Sequence, residues 1–212
     1  MVAHPGREAT MADSLLYHDA NRALQDQFDS RRISDRLEEL VRTEFSNDDR
    51  SFIESVFQFF LATADSEGRP DCSFKGGPRG FVRVTAPDEL VFPDYDGNGM
   101  FKSLGNIDAN PHVGLLFIDL EKPRRLRVNG TAVVSREDPL RAKTVGAQLI
   151  VRVKAKAIFP NCPRYIPTMK LVEPSKYTPL PGVEPEEPVW KSFPEFEPYI
   201  HPRQPVARTD GS

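Results

Sequence analysis

Two stretches of strict alternation constrain this chain more than any other feature. In residues 125–134, Leu126, Val128, Gly130, Ala132 and Val134 alternate with Arg125, Arg127, Asn129, Thr131 and Val133. In residues 151–157, Val151, Val153, Ala155 and Ala157 alternate with Arg152, Lys154 and Lys156. A period of two with one polar side is the pattern of an antiparallel strand that buries one face and turns the other to solvent or to a ligand. Four shorter segments ahead of them read as strands: FFLATAD, closed by the polar turn Asp65-Ser66-Glu67-Gly68, then PDCSFK, GFVRVT and ELVFPD. VGLLFID (residues 113–119) is apolar almost throughout and is expected to be buried on both faces. Six or seven short strands with no repeated strand–helix–strand unit predict a mainly β protein. Its architecture would be a closed or partly closed antiparallel barrel with flanking helices.

The flanks have different patterns. Leu16, Ala20, Leu24 and Phe28 recur near a period of four, and Ile33, Leu37, Leu40, Val41 and Phe45 share one face of a helix. Ser46-Asn47-Asp48-Asp49 is a helix-start signal followed by the apolar Phe52, Ile53 and Val56. EDPLRAKTVGAQ, between the two alternating runs, predicts a further short helix. At the other end, twelve of the 20 prolines lie between Pro160 and Pro205. Each removes a backbone donor and fixes φ, so helix or sheet cannot dominate there. That stretch carries Glu184, Glu186, Glu187, Glu195 and Glu197 beside Trp190, Phe193, Phe196 and Tyr199. It is either a loose tail or an extended arm whose aromatics dock on the barrel or on a second subunit. The expected division is a helical extension (1–46), a barrel domain (47–168) and a proline-rich arm (169–212).

Composition excludes several classes. The 28 Lys and Arg against 31 Asp and Glu give a net charge of −3, so the whole chain is no basic nucleic-acid binder. No apolar run approaches the roughly 20 residues of a membrane span. The first residues have no apolar signal core, which predicts a cytoplasmic protein. Cys72 and Cys162 make neither a disulfide framework nor a zinc spacing and are expected to be reduced packing residues. His4, His18, His112 and His201 are scattered, so no metal site is expected.

Three features could bind an anion. Lys75-Gly76-Gly77 ends a strand, where lysine offers a point charge and glycine lets a ligand come close; the same residues could form a plain turn. Asp96 to Ile107 is a glycine-rich loop leading into a short helix. Its free N–H groups, with Lys102 and Ser103, could hold phosphate, or it could be an ordinary helix cap. Arg125, Arg127 and Asn129 share one strand face, turned either to a ligand or to water. No nucleophile–base set stands out, which suits a protein that leaves the chemistry to a cofactor.

The order of motifs from FFLATADSEGRPDCSFKGGPRGFVRV, through ELVFPDYDGNGMFKSLGNIDANPHVGLLFID, to RLRVNGTAVV resembles the pyridoxamine 5′-phosphate oxidase-related family of FMN-binding split barrels. The resemblance covers about residues 50–165. It implies a homodimer with FMN in a groove at the interface. Lys75, Asn98, Lys102, Ser103 and Asn106 then match the phosphate-binding positions. Phe74, Gly76, Pro93 and Asp94 match positions near the flavin ring or ribityl chain, and Arg125 and Arg127 match positions facing the flavin from the sixth strand. Asn161-Cys162-Pro163-Arg164-Tyr165 resembles a C-terminal element of one subgroup, which implies that Arg164 reaches flavin or substrate across the dimer. The vitamin-forming oxidases place Ser-Arg-Lys before the helix where this chain has Phe101-Lys102-Ser103. The resemblance is therefore to the related family and not to the authentic vitamin B6 oxidase. It implies an FMN-dependent oxidoreductase exchanging hydride with a small organic substrate or NAD(P)H. The alternative is a non-catalytic protein that binds or senses flavin, deazaflavin F420 or haem. A plain interaction module, with no flavin affinity, is a third.

Overall fold

The computed structural model describes residues 14–183 and 186–200. His4, His201, Glu184 and Pro205, singled out above, lie outside the described residues. Three helices come first: α1 (Asp19–Gln27), α2 (Arg31–Glu38) and α3 (Asn47–Ser55). Seven strands follow, with one helix among them: β1 (Gln58–Ala64), β2 (Pro70–Gly76), β3 (Arg83–Ala86), β4 (Glu89–Tyr95), α4 (Lys102–Ala109), β5 (His112–Asp119), β6 (Arg124–Ser135) and β7 (Ala147–Pro160). The strands form one antiparallel sheet in the order β2-β1-β5-β6-β7-β4-β3. It curls without closing: β2 and β3 are its two edges, so the architecture is an open, split barrel.

Period-two patterning builds the interior. Directly opposed residues in neighbouring strands point to the same face. One ladder row runs Lys75–Phe59–Phe117–Leu126 and the next but one runs Ser73–Leu61–Leu115–Val128. Phe59, Leu61, Phe117 and Val128 are fully buried, so these rows face inward. Phe59 meets the rings of Phe81, Phe92 and Phe117 with centroids 5.0–6.0 Å apart. The intervening row, Phe74–Phe60–Leu116–Arg127–Phe159, faces outward. Gly130 lies at the bulge between β6 and β7, where a Cβ would come within 2.1 Å of the Lys154 carbonyl oxygen. Only glycine permits that approach.

The α3 start signal acts as expected. The Ser46 hydroxyl accepts from Asp49 N, and the Asp49 carboxylate accepts from Ser46 N, while Phe52 and Ile53 enter the core. Elsewhere the structure corrects the sequence reading. The outward residues of β5 are only half-buried, so that strand is not enclosed on both faces. EDPLRAKTVGAQ forms turns rather than a helix. Asp138 accepts from Leu140 N and captures Arg152 at 2.6 Å, and Gly146 sits at φ 75°. A side chain that binds local backbone N–H groups competes with helix formation. The face shared by Ile33, Leu37 and Leu40 is exposed, and only Phe45 of that set packs on the core. Both cysteines are free but exposed, so neither is a packing residue. Among the described residues no helix is long and apolar enough to cross a membrane, and no cluster of His, Cys, Asp and Glu could hold a metal.

Candidate functional site

The inner face of β2 carries Asp71, Ser73 and Lys75 at period two, and α4 lies against it. The chain enters α4 through Phe101, which adopts the left-handed conformation at φ 47°. That places Ser103 in the first turn, 5% exposed. Its Oγ lies 2.9 Å from Ser73 Oγ, and it donates to Asp71 Oδ2 at 3.4 Å. One turn on, buried Asn106 donates from Nδ2 to Thr63 Oγ1 at 3.0 Å and anchors the helix to β1. The first-turn N–H groups of α4 and the positive end of its dipole therefore lie at the open edge of the barrel, beside hydroxyls from two elements.

Asp94 lies on the inward side of β4, in step with Leu90 and Phe92. Burial raises its pKa above the ordinary carboxylate value; the positive charge of Lys75 opposes this, and Asp96 adds to it. Lys75 on β2 is thus near enough for its charge to act on Asp94 on β4. Tyr95 next to it is pushed up to about 12 by burial, against the opposing charge of Arg83.

Of the expected site residues, Ser103 and Asn106 lie against β2 and β1, Lys75 shares the β2 face of Ser73, and Asp94 is within reach of the Lys75 charge. Asn98 is exposed and turned onto its own loop, bonding Met100 through both amide atoms. Lys102 is exposed beside Ser103. Phe74 points outward, 58% exposed, edge-on to Phe60 with centroids 6.0 Å apart. A Cβ on Gly76 would meet the Phe74 ring at 2.8 Å, and Pro93 is buried opposite Ile150. Arg127 stands over the Phe159 ring at 6.0 Å, and Arg125, opposite Ile118, lines a small pocket at the start of β6. Arg164 is exposed after β7. Lys75 therefore lies on the inner face of the sheet, with Arg125 and Arg127 on the outer face and three strands away.

Sequence reasoning missed Ser73, Asp71 and Thr63. The signal was present, because period two on either side of Lys75 puts Ser73 and Asp71 on the lysine's face. It also missed a groove of about 580 Å³ on the outer face, between Ser14–Leu15 and the strand residues Gly114, Asn129 and Lys156.

An open seven-stranded antiparallel barrel, with the first turn of α4 lying against its edge strand β2, defines a split-barrel protein. The family model described as pyridoxamine 5′-phosphate oxidase matches residues 45–173, and the chain belongs to that family. Among solved structures it is similar to a pyridoxamine 5′-phosphate oxidase, assigned as such without proof, from Lactobacillus delbrueckii: 22% identity, 56% of this chain and 95% of that one, TM-score 0.45. It is also similar to an FMN-binding protein from Syntrophomonas wolfei (12% identity, 66% and 97% covered, TM-score 0.42). A third is the haem storage protein HutZ from Vibrio cholerae (15% identity, 55% and 95% covered, TM-score 0.41). No residue role follows from likenesses this distant. No curated protein sequence matches the chain.

Proposed function

We propose that this chain is an FMN-binding flavoprotein that acts as a homodimer and exchanges hydride between the flavin and a small organic substrate or a nicotinamide. The observation that carries this reading is the Ser73–Ser103 hydroxyl pair at the first turn of α4, with Lys75 on the same face of β2. These donors suit the phosphate end of a flavin nucleotide; Lys102 opens the same helix, and Asn98 lies on the loop before it. The flavin, when bound, supplies the hydride chemistry. The chain's own residues neutralise the phosphate and orient the ring, with Asp94, Gly76 and Pro93 along its path and Asn106 fixing the helix. Membership in the family supports the choice of flavin.

Strand register supports the homodimer. Lys75 is inward and Arg125 and Arg127 are outward on one sheet, so a single copy does not turn both sets to one ligand. A second copy can present its own Arg125, Arg127 and Arg164, and Phe74 would lie at that boundary.

The test is the visible spectrum of the purified protein after FMN is added and the excess removed, followed by NADH or NADPH without oxygen. A stoichiometric flavin spectrum bleached by the nicotinamide supports the enzyme reading. Flavin retained but never reduced, by nicotinamide or by candidate substrates, supports the binding-only alternative. No retained flavin overturns the assignment and turns attention to deazaflavin and haem. Lys75→Ala should weaken FMN retention about tenfold or more while leaving the fold intact, since hydrogen bonds to charged groups contribute about 1.5–3 kcal/mol.

A further inference from the structure

The inner face of β2 carries a carboxylate, a hydroxyl and an ammonium in a row: Asp71, Ser73 and Lys75. Same-face neighbours on a strand stand about 7 Å apart, so Asp71 and Lys75 are separated by roughly 13 Å and form no ion pair. Asp71 makes no ion pair with any other described residue either. One side-chain hydrogen bond holds its carboxylate, from Ser103 Oγ to Oδ2 at 3.4 Å.

That bond orients the hydroxyls. A serine hydroxyl has one proton to donate, and a carboxylate only accepts. With the Ser103 proton committed to Asp71, the 2.9 Å contact between Ser73 and Ser103 takes its proton from Ser73. Both protons of the pair therefore run toward Asp71. The carboxylate also stands beside the first turn of α4, where the positive end of the helix dipole favours a negative charge. Asp71 is thus an anion fixed in the chain, next to the place where a ligand phosphate would bind. A phosphate oxygen is an acceptor as well, so it competes with Asp71 for the same two protons. If Ser73 turns to the phosphate while Ser103 stays on Asp71, two oxygens are left facing each other at 2.9 Å without a proton between them. If the whole chain of bonds reverses, Asp71 loses its hydrogen bond in a partly buried site, where an unsatisfied charge is costly. Repulsion between the two negative charges acts in the same direction.

Resting on the flavin reading above, we propose that Asp71 is the selectivity residue of this site. It opposes a ligand phosphate and so narrows the preference for FMN over riboflavin, the same flavin without the phosphate. Asp71 acts through the serine hydroxyls and through its charge, and is a positioning residue rather than a catalytic one. Lys75, farther along the same face, pulls the other way, so the balance between these two residues sets how much the phosphate adds to flavin affinity.

The test compares FMN with riboflavin on the parent, on Asp71→Asn and on Asp71→Ser, with dissociation constants read from flavin fluorescence at fixed pH and ionic strength. The serine variant leaves Ser103 a neutral partner should the asparagine variant fold poorly. Removing a like charge from a partly buried phosphate site should tighten FMN binding about tenfold or more and leave riboflavin within about twofold of the parent. A merely structural role would move both flavins together. The proposal is overturned if FMN and riboflavin shift alike, or if FMN binding is unchanged or weakened in a variant that melts as the parent does. If neither flavin binds the parent, the flavin reading fails, and inorganic phosphate titrated against the Ser103 amide resonance decides for Asp71 separately. The inference then stands if Asp71→Asn binds phosphate about tenfold or more tightly than the parent, and falls if the two bind it alike or not at all.

Discussion

The barrel interior and the α1–α2 hairpin are built from similar residues and end in opposite states. Phe59, Leu61, Phe117 and Ile158 are fully buried, whereas Phe28 is 73% exposed and Leu24, Ile33 and Leu37 are each about half exposed. The buried residues of the hairpin are polar, Gln25 and Ser34. Ion pairs tie the hairpin together, with Arg22 bridging Asp35 at 2.7 Å and Glu38 at 2.9 Å. In a sheet, alternation fixes both which residues share a face and where that face goes, because six neighbouring pairs curl it inward. In a short helix the period fixes only the shared face, and nothing in the chain's described residues covers this one.

The largest expected effect tests the buried half of this contrast. Phe59→Ala removes the ring that joins Phe81, Phe92 and Phe117, and should cost about 3–5 kcal/mol in urea unfolding. The matching change on the hairpin, Phe28→Ala, should stay within about 0.5 kcal/mol of the parent. If the two costs are comparable, the hairpin's apolar face is covered in solution and the contrast belongs to the isolated chain only.

A second, smaller effect separates core from site within the barrel. Asp94 shares its strand face with Phe92, yet it carries a charge that burial disfavours. Its folded pKa is raised above the ordinary 3.8, so the folded state holds the proton more tightly than the unfolded state does. Stability is therefore lost as pH rises from 3.8 through the raised value, and the full cost persists at neutral pH. Asp94→Asn should melt higher than the parent at pH 7, and the gap should close as pH falls to 3.8 and below. A gap that is constant with pH would mean that the gain is packing rather than charge.

Much of this was legible in the sequence, for physical reasons particular to each element. The alternation gave the faces of β6 and of β7 as far as Ala155; beyond the bulge Ala157 lies opposite outward Asn129 and Ile158 takes the inner face. Ser46 with Asp49 gave the start of α3. Lys75 and Ser103 were visible as chemistry, but their convergence was not. It depends on pairing β2 with β1 and on α4 folding back against them, which brings Ser103 to Ser73, 30 residues earlier. The turn region after β6 failed because Asp138 serves Arg152 and Leu140 N, and a local helical period cannot register a partner on another strand. The pocket around Arg125 was out of reach for the same reason: its walls come from residues 42–49, 123–126 and 160–163.

The smallest effect concerns the arm, which proline content alone could not assign as docked or loose. From 186 to 200 it runs in two short 3₁₀ turns, and Lys191, only 13% exposed on its side chain, reaches Asp96 Oδ2 at 2.8 Å. Gln148 donates to the other Asp96 oxygen at 3.1 Å, so Asp96 ties the arm and β7 to the glycine-rich loop. Beside it, Trp190 meets Phe196 edge-on at 5.8 Å. Ion pairs near a surface contribute about 0–1 kcal/mol, so Lys191→Ala should hardly move the global melting temperature. Trp190 is the chain's single tryptophan, however, and its emission reports the arm alone. Lys191→Ala should shift that emission to the red and speed proteolysis within 186–200, with the barrel's cooperative unfolding unchanged. An unshifted emission would mean that the Trp190–Phe196 contact holds the arm without the ion pair, making it an apolar docking like the barrel's own rather than a polar latch.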